Sequence, residues 1–163
     1  MEDGGPTPRL RDALRRLEEG LGRVLADAGD GHARWELYRA ALDSGPARPA
    51  LRDAVAAEPD GALASGVVGE ILERLPRAER GDWVGALAPE VRAFAEHRAR
   101  ELATLEDLRS GEIAPGRVPE LLADWSDWLQ LRVAAEARAP VLRTLAVSGR
   151  TRRIRRTAAE CLG

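Results

Sequence analysis

The sequence predicts an all-α protein, a short right-handed α-solenoid of eight or nine helices arranged as antiparallel pairs. Apolar residues recur at three- and four-residue spacing along most of the chain. No segment alternates apolar and polar residues with the period of two that is typical of a strand, and β-branched residues are sparse. Two stretches of the chain also share one helix–turn–helix pattern, which indicates an internal repeat.

The N-terminal residues 1–6 lack periodicity and apolar groups, so we expect them to be disordered. A single helical-repeat domain is then expected over residues 7–163. Its first helix begins after Thr7, a favourable N-cap, and has Pro8 in its first turn. The apolar face of this helix is predicted to consist of Leu10, Leu14, Leu17, Leu21, Val24 and Leu25.

Four shorter helices follow, and glycine or proline marks their ends. Asp60 is positioned to cap the third of them. Because the connections are short, we expect neighbouring helices to run antiparallel. The four are predicted at about residues 32–43, 49–57, 60–75 and 82–87.

Two longer helices are predicted next, over about residues 89–109 and 118–137. The apolar stripe of the first comprises Val91, Phe94, Ala95, Leu102 and Leu105. The stripe of the second comprises Leu121, Leu122, Trp125, Trp128, Leu129 and Val133. Each stripe predicts one buried helix face.

Two short helices close the chain and are joined by the polar turn Ser148-Gly149-Arg150, after which Thr151 can cap the last helix. The buried side of that helix is predicted to be Ile154, Ala158, Cys161 and Leu162. Moving the closing stretch back by 91 positions aligns it without gaps to an earlier helical pair. In that alignment Pro140 falls on Pro49, Leu142 on Leu51, Thr151 on Asp60, and Ile154 on Leu63.

The closing stretch resembles a HEAT-like helical repeat of the short bacterial kind, whose second helix follows the pattern Val-Arg-x-x-Ala-Ala-x-x-Leu-Gly. Here residues 154–163 read Ile-Arg-Arg-Thr-Ala-Ala-Glu-Cys-Leu-Gly. The resemblance is clearest over residues 139–163 and weaker over 49–75. The sequence departs from the family pattern at the turn Ser148-Gly149-Arg150, where such repeats usually carry an Asp-Pro-Asp-like loop. HEAT-like proteins are mostly scaffolds and adaptors, so the resemblance implies a non-enzymatic role in protein–protein interaction.

The charge of the chain is unevenly distributed. All 25 basic residues are arginines, a composition typical of a GC-rich bacterial genome, so arginine content alone does not indicate phosphate binding. Residues 1–130 hold 17 arginines and 25 acidic residues, whereas residues 131–163 hold 8 arginines and 2 acidic residues. This asymmetry favours an acidic partner at the C-terminal end, or head-to-tail contact between copies of the chain.

The sequence also predicts where in the cell the protein is located. No apolar run approaches the ~18 residues of a membrane span, and the acidic start MEDGGPTP does not resemble a secretory signal. The single cysteine permits no internal disulfide, which suits a reducing compartment. We therefore expect a cytoplasmic protein that does not bind a membrane.

The arginines of the closing pair are the candidate partner-binding residues: Arg150, Arg152, Arg153 and Arg156. One interpretation is an electropositive ridge for an acidic protein, a phosphorylated partner or a nucleic acid. The other is the solvated outer face of a terminal repeat, which must be polar for solubility.

A second candidate site is a groove containing Arg98, Arg132, Trp125 and Trp128. The two arginines interrupt apolar stripes, either because their stems lie on the core while their heads reach water or because they bind an anionic group. Each tryptophan follows an aspartate. This arrangement is loosely similar to HEAT-like DNA glycosylases, in which Trp and Asp side chains surround a damaged nucleotide. Packing in the core explains both rings equally well.

The sequence predicts no catalytic residue, no metal site and no cofactor. His32 and His97 each have a glutamate four residues later, but two ligands are too few for zinc. A phosphate-binding loop of the Walker type would need a lysine, which the chain lacks.

These observations lead to one main hypothesis and two others. The main one is a helical-repeat adaptor that binds another protein. The alternative is nucleic-acid binding through the Arg-rich C-terminal helix. A third is a small enzyme or ligand carrier that uses Arg98 and Arg132.

Overall fold

A computed structural model describes residues 5–163, and every regular element in that range is helical, which confirms the all-α prediction. Five short 3-10 helices lie at Leu72–Arg74, Arg77–Glu79, Pro89–Val91, Pro115–Arg117 and Leu122–Asp124. None of the described helices has the length and apolar character needed to cross a membrane. The α-helices are α1 (Pro8–Leu21), α2 (Gly31–Ala41), α3 (Arg48–Ala57), α4 (Gly61–Ile71), α5 (Arg80–Ala86), α6 (Arg92–Ser110), α7 (Val118–Leu121), α8 (Asp127–Glu136), α9 (Ala139–Ser148) and α10 (Arg152–Glu160).

The contacts group the chain into two compact units, Met1–Ala99 and Arg100–Gly163, so the division falls within α6. The predicted disordered segment, residues 1–6, lies mostly outside the described residues. Gly5 and Pro6, which are described, carry no helix. That residues 7–163 form one helical-repeat domain stays a prediction.

In the first unit, α1 packs mainly along α3. The Thr7 hydroxyl caps α1 by accepting a hydrogen bond from the Leu10 N–H at 3.2 Å. The predicted extension of this helix to Leu25 is wrong, because Gly22 takes up a left-handed conformation with φ of +62° and ends the helix. Val24, which was predicted to be buried, is therefore 92% exposed.

Two glycines of α4 allow the start of α6 and the turn before it to lie close to the α4 backbone. A Cβ added at Gly61 would lie 2.9 Å from Val91 Cγ1, and a Cβ added at Gly69 would lie 2.8 Å from Phe94 Cε1. Phe94 thus covers a glycine on the surface of the unit instead of entering the core. It is 52% exposed, which corrects the prediction that it belongs to the buried stripe of α6.

In the second unit, the helix predicted over residues 118–137 is divided into two, which raises the number of α-helices among the described residues to ten. Trp125 is extended, with ψ of 136°, and the Ser126 hydroxyl then caps α8 by accepting from the Leu129 N–H at 3.2 Å. Apolar spacing continues across the break, so periodicity alone did not reveal it. The core of this unit contains Leu105, Val118, Leu122, Trp125, Leu129, Val133, Ala134, Val141, Leu142, Leu145, Ile154 and Ala158.

The end of the chain also differs from prediction. Helix α10 ends at Glu160, before the two C-terminal apolar residues. Cys161 and Leu162, which were predicted to face inward, are both exposed.

The predicted 91-residue correspondence is seen in local structure but not in packing. Helices α3 and α9 start 91 residues apart, as do α4 and α10, and Asp60 and Thr151 each cap the second helix of a pair. However, α3 packs mainly along α1, whereas α9 packs mainly along α10. The two pairs therefore share helix boundaries without sharing neighbours.

A second correspondence, at 50 residues, extends to side-chain hydrogen bonds. The 3-10 helices Leu72–Arg74 and Leu122–Asp124 match at this offset, and each is followed by a buried residue in extended conformation, Leu75 or Trp125. Within residues 48–141, identical residues recur at this spacing in eight pairs: Arg48 and Arg98, Gly61 and Gly111, Ala64 and Ala114, Gly66 and Gly116, Val68 and Val118, Glu70 and Glu120, Leu72 and Leu122, and Val91 and Val141.

A buried polar side chain occupies the same place in each copy of this pattern. Arg80 donates to the carbonyls of Leu72 and Leu75 at 3.1 and 3.2 Å. Fifty residues later, the Gln130 amide donates to the carbonyls of Leu122 and Trp125, both at 3.2 Å. Each side chain thus donates to the first residue of a 3-10 helix and to the extended residue that follows that helix.

Candidate functional site

The last helix presents three of the four predicted partner-binding arginines to solvent. Arg152 and Arg153 are exposed, and neither forms a hydrogen bond or ion pair with any residue from 5 to 163. Arg156 is also exposed, and its Nε lies 3.1 Å from Glu160 Oε1. A surface ion pair of this kind contributes little to stability, so the Arg156 guanidinium remains accessible to a partner.

Arg150 has a structural role that separates it from the other three. Its guanidinium donates to the Trp125 carbonyl at 2.6 Å and to the Ala123 carbonyl at 3.0 Å, and it lies 3.1 Å from Asp127 Oδ1. Its backbone N–H donates to Gln130 Oε1 at 2.9 Å. These bonds hold the turn between α9 and α10 against the beginning of α8, so most of the donor capacity of Arg150 is used within the unit.

The four predicted groove residues are distributed over both units. Arg98 lies in the first unit, where its guanidinium carbon is 5.3 Å from the centre of the Phe94 ring and its Nη1 is 3.9 Å from Glu73 Oε1. Arg132 lies in the second unit, 5.2 Å from the centre of the Trp128 ring. Each arginine therefore lies over an aromatic ring one helical turn before it.

Of the two tryptophans in this set, one is a core residue. Trp125 is buried within the apolar cluster of the second unit, and Trp128 is partly buried against that cluster. The aspartate that precedes Trp128 is Asp127, which is already paired with Arg150. Core packing thus accounts for the position of the Trp125 ring.

The two histidine–glutamate pairs do not gather further metal ligands. His32 and His97 are both exposed, whereas Glu101 is buried and accepts a hydrogen bond from the Ser126 hydroxyl. Within residues 5–163 no cluster of three or more His, Cys, Asp or Glu side chains could hold a metal ion.

A buried polar network in the first unit was not predicted. Arg34 of α2 forms a bidentate ion pair with Glu58, whose side chain is fully buried, and also donates to the Ala28 carbonyl at 2.8 Å. The Tyr38 hydroxyl donates to the same carboxylate at 2.8 Å. Burial, with the nearby Glu58 carboxylate, raises the pKa of Tyr38 far above its usual range, and the hydrogen bond to Glu58 raises the pKa of Arg34.

The sequence did contain one signal for this network. Arg34, Leu37, Tyr38 and Ala41 are spaced at three- and four-residue intervals, so the helical period places Arg34 on the buried side of α2. Its partner could not be found in the same way. Glu58 lies 24 residues further along the chain, just beyond the end of another helix.

The second unit also contains a cavity of about 290 Å³ that the sequence did not indicate. Apolar side chains line most of it, and three charged residues border it: Arg109, Glu136 and Arg138. Arg109 Nη2 lies 2.6 Å from Glu136 Oε1 and 2.7 Å from Oε2. Arg138 is exposed and its side chain makes no hydrogen bond or ion pair with the residues that the structure describes.

The structure thus offers two candidate sites, the exposed arginines of α10 and the cavity of the second unit. Comparison of the chain with protein-family models, with curated proteins and with solved structures finds no match in any of the three.

Proposed function

We propose that the protein is a non-enzymatic helical-repeat adaptor that binds an acidic segment of another protein through the exposed arginines of α10. The observation that carries this proposal is the pair Arg152 and Arg153. Both are exposed and lack partners among residues 5–163, and both lie in the part of the chain with an excess of positive charge. Arg156, also exposed, extends the same basic surface by one helical turn.

The 50-residue correspondence supports the repeat architecture. Its period is close to the ~40–47 residues of HEAT and armadillo repeats. The buried donors Arg80 and Gln130 occupy matching places, which is expected of copies of one structural unit. We therefore propose a HEAT-like, right-handed α-solenoid of antiparallel helix pairs, in which α10 carries a polar outer face.

An acidic protein fits the surface better than a nucleic acid does. Proteins that bind DNA through its backbone commonly neutralise about 6–10 phosphates. The last helix provides three exposed arginines, one of which shares its charge with Glu160. The closing stretch, residues 139–163, also exposes apolar side chains, Val147 at 79% and Leu162 at 38%, which can add apolar contact with a protein partner.

The proposal is tested with charge-reversed variants. In R152E/R153E both new glutamates lie in the first turn of α10, where a negative charge favours the helix, so the fold should be retained. The matched control is R9E/R11E, which makes the same charge change near the start of α1, where both arginines are exposed and unpaired among residues 5–163.

Affinity capture from a lysate of the source organism, with mass spectrometry of the captured proteins, then compares the three chains. We expect the wild-type chain and R9E/R11E to retain a common protein that R152E/R153E loses. Retention of the same proteins by all three chains would overturn the assignment of the α10 surface.

The alternative, nucleic-acid binding through the same arginines, has its own test. It predicts a gel shift with DNA or RNA at low salt, with an affinity that falls steeply as salt rises and a smaller salt slope in R152E/R153E. Loss of the captured proteins after nuclease treatment would favour this alternative over the adaptor.

A further inference from the structure

The cavity of the second unit is an apolar space with a charged edge. Its walls include Leu105 and Leu108 of α6, Val133 of α8 and Val141 of α9. At the edge, Arg109 is already engaged by both oxygens of Glu136. Arg138 is therefore the cation at this edge whose guanidinium remains available among the described residues.

At the 50-residue offset, two positions of the cavity wall carry larger side chains in the first unit. Val133 and Ala137 of the cavity correspond to Trp83 and Leu87, and both of those larger side chains are buried. The side chains at these two positions are therefore smaller in the second copy than in the first.

The charged edge is specific to the copy that contains the cavity. At the same offset, Arg109 corresponds to Pro59, Glu136 to Ala86, and Arg138 to Ala88. At these positions the second copy therefore differs from the first by two smaller side chains and by three charged ones. Placing an apolar group against these walls removes apolar surface from water, which favours binding.

We propose that this cavity binds a small amphipathic carboxylate, with its apolar chain in the cavity and its carboxylate on Arg138. A guanidinium can hold a carboxylate through two parallel hydrogen bonds. The volume lies near the lower limit of ~300 Å³ for small-molecule pockets, which selects a short chain or single ring over a long-chain lipid. This site is separate from the arginines of α10 and does not depend on the adaptor proposal.

A homologous series tests the apolar part of the site. Isothermal titration calorimetry of the full chain with hexanoate, octanoate and decanoate should show Kd falling about fourfold per added methylene, which corresponds to ~0.8 kcal/mol, until the cavity is full. A Kd that does not depend on chain length, or no binding by any of the three acids, would overturn the proposal.

The proposed contact between the ligand carboxylate and Arg138 is tested with 1-decanol, the alcohol of the same chain length, and with the variant R138Q. We expect decanoate to bind the wild-type chain at least fivefold more tightly than 1-decanol, and R138Q to weaken decanoate by the same factor while leaving 1-decanol unchanged. If the acid and the alcohol bind equally, or if R138Q binds decanoate as the wild type does, the carboxylate assignment is wrong.

Filling the cavity provides the last test. Ala137→Leu introduces the residue that the first copy carries, at a partly buried position that lines the cavity. We expect decanoate and 1-decanol both to weaken at least tenfold, with an unchanged far-UV circular dichroism spectrum. The control, Ala135→Leu, changes an exposed residue of α8 that does not line the cavity and should leave both affinities unchanged. An unchanged affinity in A137L would place the ligand elsewhere.

Discussion

Arg34 and Glu58 form a bidentate ion pair across 24 residues of sequence, with Nε–Oε2 and Nη2–Oε1 distances of 2.8 Å. The carboxylate also accepts a hydrogen bond from the Tyr38 hydroxyl at 2.8 Å and one from the Asp60 N–H at 3.0 Å. Every partner lies within the first unit. The pair joins α2 to the turn between α3 and α4, so its loss should affect the stability of this unit directly.

Replacing Arg34 with methionine leaves the Glu58 carboxylate buried without its cation. We expect a loss of about 3 kcal/mol in the free energy of unfolding, measured by urea denaturation at pH 7. The double variant R34M/E58L removes both charges and should be less destabilised than R34M. As a control, R117M breaks the exposed pair between Arg117 and Glu120 and should leave the stability nearly unchanged. Equal losses in R34M and R117M would contradict a structural role for the buried pair.

Tyr38 should make the protein less stable at alkaline pH. Its pKa is raised by burial in the folded state, so above pH ~10 the unfolded chain loses the phenol proton while the folded chain keeps it. Fewer bound protons in the unfolded state mean that stability falls as pH rises, by up to about 1.4 kcal/mol per pH unit. Below the unfolded pKa the contribution is fully present.

The measurement is urea unfolding between pH 8.5 and 10.5, with Y38F as the control. The chain contains one tyrosine and no lysine, so the difference in slope between wild type and Y38F isolates this phenol. Parallel stability curves for the two proteins would show that Tyr38 ionises equally in both states.

Replacing either of two glycines of α4 with alanine should change the stability of the protein, but in opposite directions. A Cβ added at Gly66 would meet Trp35 at an ordinary 3.7 Å, so G66A should stabilise the protein by about 0.5–1 kcal/mol through helix propensity. At Gly69 the added Cβ would lie 2.8 Å from Phe94 Cε1, and the ring would have to move. We therefore expect G69A to be destabilising.

Thermal unfolding of G66A, G69A and G69A/F94L compares the two positions. The shorter leucine should relieve the contact and recover the stability that G69A loses. If G69A raises Tm as much as G66A does, the ring of Phe94 is not held against α4.

The four predicted arginines should divide into one structural residue and three surface residues. Arg150→Ala removes three side-chain hydrogen bonds from a half-exposed guanidinium, and we expect a loss of about 1 kcal/mol in urea unfolding. R152A and R153A remove exposed side chains without described partners and should change stability by less than about 0.5 kcal/mol. Similar losses in all three variants would contradict this division.

Local features of this chain were predictable because they depend on residues that are close in sequence. The helical period identified most helices, and the caps at Thr7, Asp60 and Thr151 each accept a hydrogen bond from an N–H two or three residues later. The same reasoning failed at Gly22 and Trp125. At those positions the apolar period continues through a change in backbone direction, so periodicity alone placed the helix ends incorrectly.

The candidate sites depended on contacts that periodicity does not contain. The sequence identified exposed arginines in α10, but only the tertiary structure showed that Arg150 is bonded to the beginning of α8, about 25 residues away. It also showed the cavity, whose walls come from segments that are distant in sequence, including Leu105 of α6, Val133 of α8 and Val141 of α9. The sequence by itself therefore determined most of the helices and the caps at Thr7, Asp60 and Thr151. The tertiary structure decided which polar groups are buried together and where space remains, because both depend on packing between distant segments.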